Sequence, residues 1–189
     1  MDPRMYPEIQ NLHDAYAAAK KDAESLIAGL TEDQAAWRAH PAAWSVAECF
    51  DHLALTNRLY VRAMQPAADA ARRKNKLRRR PALPGFFGAW FVRSLEPPPK
   101  MKSKSPQVIR PRTAPTLAEV SVAFLASHTA AHEFLRANQD LDMAAIRFPN
   151  PFIRGLRFSL ATALHAIPAH ERRHLHQVRA VLTASRSGL

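Results

Sequence analysis

The sequence predicts an all-α protein, a four-helix bundle, and three observations carry that prediction. Only 5 glycines occur in 189 residues, β-branched runs are scarce, and Ala, Leu, Glu and Arg abound, a composition that favours helix. Four long segments repeat apolar residues at helical spacing, with loops short except for one. No segment alternates convincingly like a strand. The expectation is a single domain over residues 1–189, large enough to bury a core. Its 47 % hydrophobic and 23 % charged residues fit a soluble globular protein rather than a disordered one.

The first helix is expected from about Pro7 to Gly29. Ile9, Leu12, Tyr16, Ala19, Ala23, Leu26 and Ile27 recur at helical spacing, and Gly29 suits a C-cap. Leu30 to Trp37 can add a short turn capped by Thr31, and His40-Pro41 lies in an extended connector. Ser45 and Glu48 form a capping box that starts the second long helix. It is expected to run to about Gln65 and stop before Pro66, with Val46, Cys49, His52/Leu53, Thr56, Leu59/Tyr60 and Ala63 facing inward.

Residues 67–115 form the one long connection, rich in proline and basic residues. An ordered loop of that length needs structure of its own. Residues 83–95, with Phe86, Phe87 and Trp90, suit a short aromatic helix, followed by an extended stretch from Pro97 to Arg112. Seven of the eleven net positive charges lie between Arg72 and Arg80, a run without an acidic residue, so the basicity is largely local. Basic residues beside aromatics suit nucleic acid or an anionic membrane surface. A solvated arm followed by a lid over one end of the bundle is the favoured reading, and both other partners are disfavoured.

The third long helix is expected from Thr116 to about Asp140, with Leu117, Val120, Val122, Phe124, Leu125, His128, His132, Leu135 and Gln139 inward. Leu141 to Pro151 reads as a loop. The last helix follows, from about Ser159 to Ser185 with Pro168 inside it.

His170 and His174 lie four residues apart on that last helix, in line with Leu160, Leu164, Ile167, Val178 and Val181. Side chains at this spacing share a face, roughly 5–6 Å apart at Cβ. Two imidazoles so placed can converge on one transition-metal ion, with bonds of about 2.0–2.1 Å for zinc. A site needs at least one more ligand. His52, two turns into the second helix, is the first candidate, against the plainer reading of a core histidine bonded to a neighbour. His128 and His132 make a second pair at the same spacing.

Two separated stretches resemble one family. Leu30-Thr31-Glu32-Asp33-Gln34 through Trp44-Ser45-Val46-Ala47-Glu48-Cys49-Phe50-Asp51-His52-Leu53, and His170-Glu171-Arg172-Arg173-His174-Leu175-His176-Gln177, are similar to the second-helix and last-helix signatures of the DinB-like superfamily. The resemblance implies an up-down-down-up four-helix bundle holding a divalent metal through His52, His170 and His174. The His128/His132 pair has no counterpart in the signature, and His176 replaces a usual small residue.

Three neutral imidazoles leave coordination positions open, as in catalytic zinc sites. Nitrogen donors also suit nickel, iron or copper, so a divalent transition metal is expected without its identity. The resemblance implies a metal-dependent enzyme, either a thiol S-transferase acting with a low-molecular-weight thiol or a metal-dependent hydrolase. A non-enzymatic bundle binding nucleic acid or an anionic surface through Arg72 to Arg80 is the rival. Glu48 and Gln177 are candidates to support the ligands, while Asp51 and Glu171 are expected at the surface and Cys49 in the core. A small-molecule substrate and a homodimer are expected. The start Met1 to Tyr6 lacks a signal-peptide pattern and there is one cysteine, which fits a reducing cytoplasm.

Overall fold

The structure, a computed structural model, describes residues 6–98 and 105–187. Among them it is mostly helical: α1 (Pro7–Ala28), α2 (Glu32–Ala36), α3 (Val46–Arg73), α4 (Phe86–Leu95), a 3-10 turn (Gln107–Ile109), α5 (Leu117–Asn138) and α6 (Leu160–Arg186). A two-stranded antiparallel sheet, β1 (Arg147–Pro149) and β2 (Arg157–Ser159), precedes α6. None of the described helices is long and apolar enough to cross a membrane.

Helix starts follow the local chemistry. Glu48 N–H donates to Ser45 Oγ at 3.2 Å while Ser45 N–H donates to Glu48 Oε2 at 2.9 Å, the capping box read from the sequence. Thr31 and Gln34 form a second one. Thr116 and Ser159 cap α5 and α6 through the amides of Glu119 and Thr162. Each such cap contributes about 1 kcal/mol.

The four long helices share two buried clusters. One gathers Ile9, Leu12, Tyr16, Met64, Leu135, Leu164 and Ile167 with Phe148 and Phe158 of the sheet. The other gathers Ala23, Val46, Phe50, Leu53, Phe124, Leu175 and Val178. Burying a Leu or Phe contributes about 1.5–3 kcal/mol. Between the clusters, at matching heights on α3, α5 and α6, lies a polar layer of His52, Thr56, Asn57, Ser127, His128, Glu171 and His174, all buried. The candidate site belongs to this layer.

The connector expected to be extended around His40-Pro41 instead turns, the Ala43 amide donating to the His40 carbonyl at 2.8 Å, and the structure departs from the expected elements in four further places. First, α3 does not stop before Pro66 but continues to Arg73. The proline removes the bond to the Arg62 carbonyl, an interior penalty of about 3 kcal/mol. Ala67, Ala68, Ala70 and Ala71 are strong helix formers, Ala68 and Ala71 join the core, and Arg72 is held by Asp140 and the Ala137 carbonyl.

Second, the loop expected over Leu141 to Pro151 contains β1, paired with β2 so that buried Phe148 and Phe158 face each other. Third, Val122 is not inward but 72 % exposed. Buried Val120, Phe124, His128, Ala131 and Leu135 define the stripe, and a position two from Val120 and Phe124 points away from it. Fourth, the stretch expected to be extended from Pro97 to Arg112 includes the 3-10 turn, and its residues 99–104 lie outside the described residues.

The basic run is tied down rather than loose. Arg72, Arg78 and Arg80 pair with Asp140, Glu8 and Asp142. Arg78 N–H donates to the Asp140 carbonyl and Asp142 N–H to the Lys76 carbonyl. From there the chain returns along α6 as α4. Gly88 permits that approach, because a Cβ there would stand 2.3 Å from Thr162 Oγ1.

Candidate metal centre

His52 sits in the second turn of α3, and His170 and His174 sit one turn apart on α6. Their rings meet edge-on, with centroids 4.6–5.0 Å apart. His170 Nε2 lies 3.3 Å from His52 Nε2 and 3.1 Å from His174 Nε2. One nitrogen from each ring falls within 4.8 Å of the others. Two ligands on a tetrahedral ion with bonds of about 2.0–2.1 Å stand about 3.3 Å apart. The observed spacings match. His52 and His174 are buried, and His170 is partly so.

The rings are held neutral, as ligation requires. Burial, then the neighbouring His174, His52 and Arg173 charges, pushes His170 well below the ordinary histidine value. Burial, then His52 and Arg173, brings His174 down to about 3. Burial lowers His52 despite the opposing Ile109 carbonyl and Asp51 carboxylate. His52 Nδ1 lies 2.6 Å from the Ile109 carbonyl oxygen. A carbonyl can only accept, so Nδ1 carries the hydrogen and Nε2 turns its lone pair inward.

That tautomer limits how the other two rings can pair. If His170 Nε2 donates to its neighbours, His174 must carry its hydrogen on buried Nδ1, where Gln177 is a poorly aligned partner. If His174 Nε2 donates instead, the His170 lone pair faces the His52 lone pair at 3.3 Å. One divalent ion shared by the three inward nitrogens satisfies all three rings at once. The donor set therefore fits a metal.

The surroundings were only partly expected. Trp44 covers the group, its ring 4.9 Å from His52 and 6.0 Å from His174, stacked on the latter. Its one sequence signal is an apolar residue immediately before the Ser45 cap.

Asp51 and Glu171, expected at the surface, are buried. Asp51 accepts from the Arg112 amide at 2.8 Å and from its guanidinium at 2.9 and 3.0 Å, anchoring the strand of chain that presents Ile109. Glu171 accepts from Asn57 Nδ2 at 2.8 Å, and both its oxygens lie 3.0 Å from His128 Nδ1. Each does turn away from the ligand next to it in sequence. Another part of the fold, rather than solvent, occupies that direction.

Glu48 does not support His52. It caps Ser45 and pairs with Arg38 at 2.8 Å, leaving the Ile109 carbonyl in that role. Gln177 is half-buried and weakly favours the charged form of His174 by hydrogen bonding, yet forms no well-aligned bond to Nδ1. His128 serves Glu171, and His132 stacks on Tyr16 and contacts His13 at 2.8 Å, so neither joins the three-ring group. His176 is exposed. Cys49 is fully buried, its thiol pushed up to about 12 by burial and then Glu48.

Comparison with known proteins agrees with this geometry. A family model described as the DinB superfamily matches residues 15–178. No curated protein and no solved structure matches the chain.

Proposed function

The chain belongs to the DinB superfamily, and from that premise we propose that it is a metal-dependent enzyme transferring a low-molecular-weight thiol to a small electrophile. One observation carries the metal site on which the proposal rests: three neutral imidazoles bring one nitrogen each within 4.8 Å of the others, and the Ile109 carbonyl leaves the His52 Nε2 lone pair turned inward. We read the four long helices as an up-down-down-up four-helix bundle and the whole as one domain working in a reducing cytoplasm.

His52, His170 and His174 would hold a divalent ion, zinc, nickel or iron among the candidates. When bound, such an ion supplies Lewis-acid chemistry at an open position, where it lowers the pKa of a coordinated thiol or water. The chain's own residues set the conditions. Ile109 fixes the His52 tautomer, and Trp44 shields one side of the rings. The only cysteine is a buried core thiol, so the reacting sulfur must come from a second molecule. In the transfer the thiol proton passes to solvent, the sulfur lone pair forms the sulfur–carbon bond, and the carbon–leaving-group bond breaks with its electrons going to the leaving group.

The test uses metal-loaded protein and a generic electrophile with and without a small thiol. The expected result is conjugate formation in step with thiol consumption, abolished in His52→Ala. Turnover that needs no thiol would replace this reading with a metal-dependent hydrolase of the same fold.

A further inference from the structure

The outward side of α4 inverts the usual pattern of a surface helix. Gly88, Ala89, Phe91, Val92 and Leu95 are partly covered against the body of the protein, and Gly88 meets Thr162 closely enough to fix that orientation. The opposite side should be polar. Instead it carries Phe86, Phe87 and Trp90, which are 84, 82 and 67 % exposed. Phe86 and Phe87 touch edge to face, with centroids 5.5 Å apart. Residues 86, 87 and 90 lie on one arc of the helix, and exposed Arg93 follows one turn after Trp90. Other exposed large apolar residues, such as Val122 and Ile153, stand on different elements.

Charge distinguishes among occupants for this face. Residues 72–98 contain eight basic residues and one acidic residue. The acidic one, Glu96, is engaged by Arg172. Three of the basic residues are paired, while Arg73, Lys74, Lys76, Arg79 and Arg93 enter no ion pair among the described residues. Two copies meeting at this face would bring like charge together. An anionic bilayer takes both the aromatics, which favour the headgroup boundary, and the cations.

We propose that α4 is a membrane-docking element: Phe86, Phe87 and Trp90 seat in the interface of an anionic bilayer, with Arg93 and the basic segment before α4 against the lipid headgroups. At ten residues, about 15 Å, α4 lies in the plane of the surface and does not span it. Arg172 holds Glu96, and Arg173 donates to the Ser94 carbonyl, so the docked helix abuts the turn of α6 that bears His170 and His174. The proposal stands apart from the reading of the metal centre.

The experiment is co-sedimentation of the full chain with vesicles of phosphatidylcholine alone or mixed with phosphatidylglycerol, across a salt series. The mixed vesicles should bind the protein, with a blue shift of tryptophan emission, and added salt should weaken binding. The F86S/F87S/W90S variant, which alters only exposed side chains and whose folding is checked by circular dichroism, should lose at least about tenfold in partitioning. Arg93→Gln combined with Arg79→Gln should weaken it several-fold. Undiminished binding by the triple variant would overturn the proposal, since only ionic adsorption would remain. Equal binding to neutral vesicles, or a concentration-dependent dimer that the triple variant abolishes without vesicle binding, would overturn it too.

Discussion

Tyr16 donates its hydroxyl to the carbonyl of Leu164 at 3.2 Å, the backbone acceptor that Pro168 leaves without its helical partner. Both groups are buried, Tyr16 completely. A proline two residues before His170 is thus tolerated because a residue on α1 replaces the missing donor. Replacing Tyr16 by Phe should lower stability by about 1–3 kcal/mol, the penalty for a buried unsatisfied acceptor. Thermal unfolding should shift down by roughly 2–4 °C for each kcal/mol. An unchanged melting temperature would show that the hydroxyl does not serve this carbonyl.

Glu171 and His128 form the most enclosed carboxyl–imidazole contact in the described structure, with side chains 0 and 1 % exposed. Removing one partner of such a pair strands the other. His128→Ala should therefore destabilise by about 1–3 kcal/mol in urea unfolding, the penalty for a buried acceptor left without its donor. A loss below about 1 kcal/mol would mean Asn57 alone suffices for the carboxylate.

The depressed histidines predict the acid response of the metal-free protein. In the unfolded chain these rings take up protons as pH falls through 6.5, while folded His174 resists until about 3. His52 and His170 shift in the same direction. Between those limits the unfolded state binds more protons, so stability rises with pH and falls on acidification, by up to about 1.4 kcal/mol per pH unit for each ring. Urea midpoints should drop from pH 7 to pH 5, and drop less in His174→Leu. An equal drop in that variant would contradict the assignment.

What the sequence made legible follows from locality. Ser45 with Glu48, Thr116 and Ser159 announced helix starts because caps act within one turn. His170 and His174 announced a shared face because spacing alone places them there. The remainder depends on what lies opposite. Position 171 is rotated away from its neighbours whatever the fold, but only the packing of α3 and α5 decides whether it meets water or Asn57 and His128. The Ile109 carbonyl carries no residue-type signal. Pro66 illustrates a local rule overridden by burial downstream, and three-residue strands are too short to show alternation.

The proposed chemistry requires that His52, His170 and His174 hold one divalent ion between them. Elemental analysis of the purified protein beside His174→Ala and the exposed-site control His176→Ala tests it directly. The native protein and the control should carry close to one equivalent of transition metal, and His174→Ala should lose most of it. Equal metal content in the native protein and His174→Ala would contradict it.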